Sequence, residues 1–374
     1  MSRSVDVAIV GGGIVGAAAA AFLAAEGASV VVYEQEEIAA GASGRNSGSI
    51  QHPFDPILAE LHRETLVLYR ELSGAGVGFQ LAHRPSGLLL LGRDTGAIRA
   101  ISTDLGREVP QLRPAFLTAA DLQTLERGLA PDLSACRLET GYPVRPASAA
   151  RGFARVARRL GATIHEGAPA RVEWRGHGAA VVAPGPTVEA GSTIIAAGPW
   201  TPEVLDPSGL WRPIRRTWGV TVEVGLAEPP RAVLEEAGVE ALAKVGVLSL
   251  FSLVTAESAS VVGSTFLDER PEAHALAPVL MERGKAFVPA LAGAPIREIR
   301  RCARPQSLDG RPLVGRLPGV ERVYVAAGHG PWGISTGPAT ARMVADLVLG
   351  HDASIPRELD PARFGPIDRP PEQP

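Results

Sequence analysis

Residues 5–34 read VDVAIVGGGIVGAAAAAFLAAEGASVVVYE, and their sequence of turn and periodicity signals is the most informative in the chain. The apolar, β-branched stretch Val5–Val10 predicts a short buried strand, which the glycines Gly11–Gly13 interrupt. An alanine-rich helical pattern runs from Ile14 to near Gly27, and Ser29–Tyr33 predicts a second strand. A strand, a glycine turn, a helix and a strand within about 30 residues form a βαβ unit.

The glycines of this unit fit the pattern G-x-G-x-x-G, with Gly11, Gly13 and Gly16 at the fixed positions. Such glycines allow a tight turn, close approach of the backbone to a pyrophosphate, and close packing of the helix on the sheet. The helix N-terminus adds free N–H groups and a positive dipole end, which bind phosphates. Glu34 follows Gly11 by 23 residues, where an acid accepts hydrogen bonds from a ribose and disfavours the 2′-phosphate of NADP. The motif therefore predicts a dinucleotide site and, by itself, leaves FAD and NAD open.

The uncharged run Val7–Ala25 contains 19 residues and is nominally long enough to span a bilayer. Its internal glycine turn and the acid at Asp6 favour the βαβ unit over a signal peptide or a membrane anchor. We therefore expect a cytoplasmic protein without a membrane span.

Composition excludes several classes of protein and selects none. The 374 residues, 45% hydrophobic and 21% charged, have the balance of a globular protein with a substantial core. A net charge of −3 provides no basic field for nucleic acid or an anionic membrane. Two cysteines cannot form a disulfide framework or a cysteine-based zinc site, and the eight histidines contain no pair at helical metal-binding spacing. No metal site is predicted.

Further glycine-bearing segments follow the βαβ unit. Gly41–Gly48 is a small polar loop in place of a second crossover strand, and the predicted strand Thr193–Ala197 ends in a Gly-Pro-Trp turn. Near the C-terminus, the predicted strand Val323–Ala327 runs into the turn Gly328–Ile334. A helix is then predicted over Pro338–Leu349, with a glycine as its stop signal.

With these motifs the chain resembles the D-amino-acid oxidase family of FAD-dependent oxidoreductases, which includes glycine oxidase and sarcosine oxidase. The matching segments occur in the family's order and are Val7–Glu34, Gly41–Gly48, Thr193–Trp200, Arg304–Gly315 and Val323–Leu349. The resemblance implies a buried, elongated FAD with its pyrophosphate at the first glycine motif and its ribose on Glu34. The residues that it implies as the FAD site are Gly11, Gly13, Ile14, Val15, Gly16, Glu34, Gln35, Ser43, Gly44, Arg45, Asn46, Ser47, Gly48, Val172, Ala197, Gly198, Trp200, Gly328, His329, Gly330, Trp332, Gly333, Ile334 and Ser335.

The expected fold class is α/β, a Rossmann-like FAD-binding domain with a discontinuous second domain on a mixed, largely antiparallel sheet. Residues 1–77, 141–212 and 300–365 are assigned to the FAD-binding domain, and residues 78–140 and 213–299 to a substrate domain. The proline-rich residues 366–374 predict a disordered tail.

Oxidation of a substrate by flavin needs positioning more than acid–base chemistry, so an anchor is expected rather than a catalytic triad. Arg304 is the candidate, because a guanidinium matches a carboxylate in bidentate geometry. It also matches the substrate-carboxylate arginine of the family's R-P-x-x-x-D-G motif. Glycine oxidases carry a second arginine in the later G-H motif, where this chain has Pro331 and Trp332. That departure disfavours glycine as the substrate and suggests a more apolar pocket.

Several other residues have two readings each. His329 either contacts the flavin or the substrate amine, with a pKa near neutrality, or is held by backbone groups as part of the packing. Cys302 stands seven residues before Asp309, a spacing at which sarcosine oxidases link FAD covalently, although the Arg-Pro that follows belongs to the non-covalent branch. Non-covalent FAD is therefore expected, with a link through Cys302 as the alternative. Trp332, Trp218 and Tyr142 either wall the pocket or belong to the core. The helix that follows the later glycine turn is expected to stabilise reduced flavin through its dipole.

The resemblance implies oxidation of a small amine or amino acid, such as a D-amino, N-methyl or cyclic imino acid. A hydride would pass from the substrate α carbon to flavin N5 and leave an imine. A 2-hydroxy-acid dehydrogenase on the same fold is the nearest alternative, followed by a non-catalytic flavin-binding subunit of a hetero-oligomer. An NAD-dependent dehydrogenase, which would be colourless, is a fourth reading. The electron acceptor is either oxygen or a quinone or carrier protein. An oligomeric state is also compatible with the sequence.

Overall fold

The computed structural model describes residues 3–175, 178–183, 188–238 and 249–367. Its helices are α1 (Ile14–Ala25), α2 (Ala42–Arg45), α3 (Pro56–Gly74), α4 (Thr95–Glu108), α5 (Ala119–Leu125), α6 (Ser148–Arg159), α7 (Thr201–Leu205), α8 (Ala273–Lys285) and α9 (Gly333–Leu349). Its strands are β1 (Arg3–Val10), β2 (Val30–Tyr33), β3 (Ser49–Ile50), β4 (Leu88–Gly92), β5 (Ala115–Leu117), β6 (Ser134–Leu138), β7 (Tyr142–Pro143), β8 (Thr163–His165), β9 (Arg171–Arg175), β10 (Gly178–Val182), β11 (Val188–Ile195), β12 (Ile214–Val224), β13 (Val233–Glu236), β14 (Ser252–Ala256), β15 (Ala259–Gly263), β16 (Ile296–Ser307), β17 (Leu313–Arg316) and β18 (Val323–Ala327).

The first sheet has the strand order β17-β18-β11-β1-β2-β8, with β10 paired to β11 and β9 paired to β10. β1 is parallel to both β2 and β11, and β11 is parallel to β18. The βαβ unit predicted for residues 5–34 is therefore confirmed. β1 lies between β2 and β11, so the strand order changes direction at β1. Its carboxyl end is therefore a topological switch point, the place where open α/β sheets bind ligands.

Helix α1 is buried along nearly its whole length, from Ile14 to Ala24. It contacts β1 and β2 on one side and the helices α6 and α9 on others. A helix that is apolar all round belongs to a protein interior or a membrane, and here the neighbouring helices and the sheet account for it. Among the described residues, no helix combines the length and the hydropathy needed to cross a membrane.

The second sheet has the strand order β16-β12-β15-β14-β13-β4-β6-β5. Its neighbours pair antiparallel, except that β13 is parallel to β4. The mixed, largely antiparallel second sheet expected from the sequence is therefore confirmed, and its core combines side chains from this sheet with α8.

One predicted domain boundary cuts through a strand. The ladder between β12 and β16 pairs Ile214 with Ser307 at one end and Val224 with Ile296 at the other. Because this single ladder contains all of β16, the second sheet continues beyond the predicted boundary between residues 299 and 300. The other predicted domain boundaries stay predictions.

The C-terminal tail and the last helix also differ from expectation. Ile367, inside the segment predicted to be disordered, is 6% exposed and packs in the same apolar cluster as Val323. The rest of that prediction, residues 368–374, lies outside the described ranges. Helix α9 begins at Gly333 rather than near Pro338. Pro338 lacks the N–H that would bond the carbonyl of Ile334, and that oxygen instead accepts a hydrogen bond of 2.7 Å from the Tyr69 hydroxyl.

Candidate active site

A cavity of about 1140 Å³ lies between the carboxyl end of β1 and the strands β12 and β16 of the second sheet. Most small-molecule sites measure roughly 300–1,000 Å³, so this one has room for a dinucleotide and a small second molecule. Its walls also include α2, the ends of β2, β11 and β18, and the N-terminal residues of α9.

The first glycine motif forms one end of the cavity. Gly11 has φ of +110°, and a Cβ atom there would overlap the carbonyl oxygen of Ala196. A Cβ atom at Gly13 would lie 3.1 Å from Ser43 Oγ, in the space between the turn and α2. Both positions therefore need glycine, one for its conformation and the other to leave the cavity wall open to a ligand.

The N-terminus of α1 and the carboxylate of Glu34 complete this end. The α1 N-cap, Gly13, makes no side-chain capping hydrogen bond, and the first turn contains no acidic residue. The Ile14 N–H donates to Ser43 Oγ at 2.9 Å, and the positive end of the helix dipole at this terminus favours a pyrophosphate. Glu34 is held by two backbone groups, because its Oε2 accepts from Gly12 N–H at 2.6 Å and its Oε1 from Glu36 N–H at 3.0 Å. The carboxylate lines the cavity in a fixed position, so the residues present fit the pyrophosphate and ribose of FAD.

Most residues of the predicted FAD site line this cavity. These are Gly11, Gly13, Ile14, Val15, Glu34, Gln35, Ser43, Arg45, Asn46, Ala197, Gly198, Trp200, His329, Gly330, Gly333 and Ile334. The others lie behind the wall, namely Gly16, Gly44, Ser47, Gly48, Val172, Gly328, Trp332 and Ser335.

Several of the residues behind the wall have a packing explanation. A Cβ atom at Gly16, Gly44 or Gly48 would overlap a backbone carbonyl oxygen of a neighbouring segment, so these glycines shape the wall without forming its surface. Val172, in β9, is buried with Val181 in an apolar cluster of the first sheet. Val172 does not line the cavity, and its contact with the cofactor stays a prediction.

Arg304 lines the cavity from β16, and its side chain is half-buried. Its Nη1 donates to the carbonyl of Thr265 at 2.8 Å and its Nη2 to the hydroxyl of Ser264 at 3.0 Å. Within the described part of the chain no carboxylate lies within 4.0 Å of it. Burial lowers the pKa of Arg304 below the usual 12.5, and the only opposing influence is the nearby Cys302 thiol. Two of its five N–H groups are therefore used, by neutral acceptors, and the cation lacks a counter-charge.

His329 follows β18 and is buried, with 3% exposure. Its Nε2 lies 2.8 Å from Thr340 Oγ1, and that hydroxyl donates to the carbonyl of Gly337. Because the hydroxyl proton is used, the imidazole donates from Nε2. Burial lowers the pKa of His329 to about 4, so the near-neutral pKa expected from the sequence is wrong and the ring is uncharged at pH 7. A bridge between His329 and Gln306 also ties this turn to β16.

The aromatic residues expected at the pocket separate into two groups. Trp218 lines the cavity, as does Pro331. Tyr142 belongs to the core around α1, and Trp332 packs against a cluster that contains Leu58. Trp332 is not among the residues that line the cavity, and its assignment to the catalytic site stays a prediction.

Cys302 also lines the cavity, with 5% exposure. Its Sγ lies 3.9 Å from the carbonyl of Arg45, and burial raises the pKa of the thiol despite the nearby arginines. A thiol is the less nucleophilic form of cysteine. This environment favours non-covalent FAD, and the covalent alternative stays untested.

Only Arg45 and Arg304 of the arginines around the cavity were predicted from the sequence. Seven arginines and four acidic residues line it, whereas the whole chain has a net charge of −3. Four of the seven have a carboxylate within 4.0 Å, as in the pair Arg216–Glu203 at 2.9 Å. The arginine-rich runs 212–216 and 297–304, which lie largely in the neighbouring strands β12 and β16, could have predicted this arginine-rich lining. Among the described residues, no group of His, Cys, Asp and Glu could hold a metal ion.

Comparison with known proteins agrees with this geometry. The family model of FAD-dependent oxidoreductases called DAO matches residues 6–347. Glycine oxidase of Bacillus licheniformis is 26% identical over 366 residues, which cover 94% of this chain and 95% of that protein. D-amino acid dehydrogenase of Methylobacterium nodulans is 28% identical over 187 residues, 48% of this chain and 42% of that protein.

The crystal structure of iminodiacetate oxidase from Chelativorans sp. BNC1 has a TM-score of 0.83 and 25% identity, and covers 95% of this chain and 98% of its own. The family match spans both sheets and every segment that lines the cavity. The chain therefore belongs to the DAO family of FAD-dependent oxidoreductases, and FAD is its cofactor.

Proposed function

We propose that this enzyme oxidises a small amino acid whose carboxylate binds Arg304. The observation that carries the proposal is a half-buried guanidinium in the cavity wall without a carboxylate partner among the described residues. A half-buried cation without a counter-charge favours an anionic ligand at this position of the wall. A carboxylate is planar and accepts two parallel N–H bonds from guanidinium, which orients the rest of the substrate as well as binding it.

The residues around Arg304 fit orientation better than proton transfer. His329 is uncharged at neutral pH and its Nε2 is occupied by Thr340, so it can shape the wall or accept from a substrate amine through Nδ1. Bound FAD would supply the redox chemistry, taking a hydride from the substrate α carbon at N5 and leaving an imine. The N-terminus of α9, at Gly333 and Ile334, lies in the cavity wall and would favour negative charge there.

The character of the wall near Arg304 suggests a substrate larger than glycine. Ile214, Trp218, Ala303 and Pro331 present apolar surface to the same cavity. Pro331 and Trp332 also occupy the region in which the resemblance to glycine oxidases leads one to expect a second arginine. D-amino acids, N-methyl amino acids and cyclic imino acids are therefore the preferred substrate classes. A 2-hydroxy acid would use the same carboxylate anchor, and it is the second candidate for that reason.

An anaerobic absorbance experiment tests the proposal. Purified protein would be titrated with D-, L-, N-methyl and cyclic amino acids and with 2-hydroxy acids, and the flavin band would be followed. Bleaching by one amino-acid class supports the proposal, and bleaching by hydroxy acids alone supports the second candidate. A yellow protein that no member of the panel bleaches or perturbs would contradict both and favour a non-catalytic, partner-dependent subunit. Reoxidation of the bleached enzyme with oxygen or with a soluble quinone would then identify the acceptor class.

A further inference from the structure

We infer that Gly219, Ser264 and Phe266 are positioning residues that hold the Arg304 guanidinium in one orientation for a substrate carboxylate. The inference rests on the function proposed above, because it concerns the same anchor. The three residues lie behind Arg304, outside the cavity wall, so any effect that they have on binding acts through the guanidinium.

Gly219 provides the space in which the guanidinium lies. It belongs to β12, where its pairing partner on β16 is Cys302, two residues before Arg304. A Cβ atom at Gly219 would lie 2.5 Å from Nη2 and 2.6 Å from both Cζ and Nη1 of Arg304. Gly219 does not have a positive φ, so its backbone conformation does not require glycine. The approach of the guanidinium is the reason that the structure gives for glycine here.

Phe266 and Ser264 fix the direction of the same group. The Cζ atom of Arg304 lies 4.4 Å from the centroid of the Phe266 ring, within the range of a cation–π contact. The Ser264 hydroxyl and the Thr265 carbonyl accept from the two Nη atoms, at 3.0 and 2.8 Å. These contacts together restrict both the plane and the rotation of the guanidinium.

The chemical character of these contacts matters as much as their geometry. An aromatic ring, a hydroxyl and a backbone carbonyl are all uncharged, so they orient the arginine without neutralising it. A carboxylate in their place would hold Arg304 equally well but would compete with the substrate for it. Pre-organisation by neutral groups reduces the entropy lost on binding and leaves three N–H groups for the ligand.

Two pairs of substitutions test this arrangement in the FAD-loaded enzyme. Gly219→Ala forces the guanidinium of Arg304 to move. Gly225→Ala is its control, because a Cβ atom at Gly225 would also meet an arginine, the exposed Arg297, at 2.8 Å. Phe266→Leu removes the ring beneath Arg304. Its control is Phe116→Leu, since that ring lies 4.1 Å from Cζ of the exposed Arg99.

The readouts are the Kd of benzoate, followed through the flavin spectrum, and the separate kcat and KM of whichever substrate bleaches the wild type. We expect Gly219→Ala to raise the benzoate Kd and the KM about tenfold or more, equivalent to ~1.4 kcal/mol. Phe266→Leu should raise both by roughly threefold to tenfold, as expected for loss of a cation–π contact. The value of kcat at saturation should change less than KM, Phe266→Tyr should restore binding, and both controls should bind as the wild type does.

The outcomes separate this inference from the proposed function. If the wild type binds benzoate while Gly219→Ala and Phe266→Leu bind it equally well, the positioning role is wrong and the proposed function stands. If the wild type neither binds carboxylates nor is bleached by amino acids, the proposed function fails and the inference fails with it. If Gly219→Ala does not fold, the comparison of Phe266→Leu with Phe266→Tyr decides the question.

Discussion

Replacing Arg304 with methionine should abolish carboxylate binding without unfolding the protein. Two charge-assisted hydrogen bonds of ~1.5–3 kcal/mol each would be lost, so at 1.4 kcal/mol per factor of ten the carboxylate Kd should rise by roughly two to four orders of magnitude. The kcat/KM of the substrate should fall by a similar factor, because the anchor also orients the reacting carbon.

The stability of the same variant should behave differently, and this makes the prediction specific. Arg304→Met removes two hydrogen bonds to the neutral acceptors Ser264 and Thr265, but it also removes a half-buried cation without a counter-charge. These effects oppose each other, so we expect the unfolding temperature of the ligand-free variant to fall by no more than ~3 °C, a change on the order of 1 kcal/mol.

Thermal unfolding with and without benzoate measures both effects in one experiment. At a concentration of 100 Kd, a ligand stabilises the native state by ~2.7 kcal/mol, so the wild type should unfold at a higher temperature and Arg304→Met should not respond. A variant that still binds benzoate within about threefold of the wild type, or ~0.7 kcal/mol, would refute the anchor. A variant that loses FAD would instead assign Arg304 to the cofactor site.

Three further predictions concern other parts of the site. Gly16→Ala should give protein that loses FAD or unfolds, because the added Cβ overlaps the Gly11 carbonyl; the ratio of flavin to protein absorbance and circular dichroism measure this. The free energy of unfolding should fall as the pH drops from about 6.5 towards 4, because burial lowers the pKa of both His62 and His329 to about 4 and the unfolded chain binds those protons first. Each histidine contributes a slope of up to ~1.4 kcal/mol per pH unit. Urea titrations of His329→Gln should therefore show a shallower dependence of the unfolding free energy on pH. The Kd of benzoate, which is an anion, should rise with ionic strength, because arginines outnumber acids in the cavity wall. Replacing Arg270, one of the arginines that line the cavity, with glutamine should reduce this salt dependence.

Local sequence patterns predicted the first sheet well because its information is contiguous. Strand, glycine turn, helix and strand within residues 5–34 define the βαβ unit, and the structure places it at the centre of the sheet. The start of α9 was missed because Pro338 is normally a helix-start signal. Its effect is cancelled by the hydroxyl of Tyr69, which satisfies the carbonyl of Ile334 from a distant helix. A sequence window around residue 338 contains no trace of that partner.

The site residues that could be predicted from the sequence are those whose spacing along the chain is fixed. The glycine motif and Glu34 were visible because ligand chemistry fixes their spacing along the chain. The pKa of His329 was not, since it depends on burial of the ring, which only the assembled core determines. Trp332 was assigned to the site because the resemblance implies that residues 328–334 line the flavin, whereas in the structure its side chain packs against the cluster that contains Leu58.

Arg304 combines a feature that the local sequence reveals with one that only the folded chain determines. Its own motif marks it as an anchor, yet the groups that orient it stand 39 and 40 residues away in the chain and come from the segment after β15. Gly219 reaches it across the β12–β16 ladder, where only the strand register brings the two together. An arginine motif therefore predicts that a carboxylate can bind, whereas affinity depends on neutral residues that the motif does not contain. For that reason Gly219→Ala should weaken carboxylate binding in a chain whose arginine motif is intact.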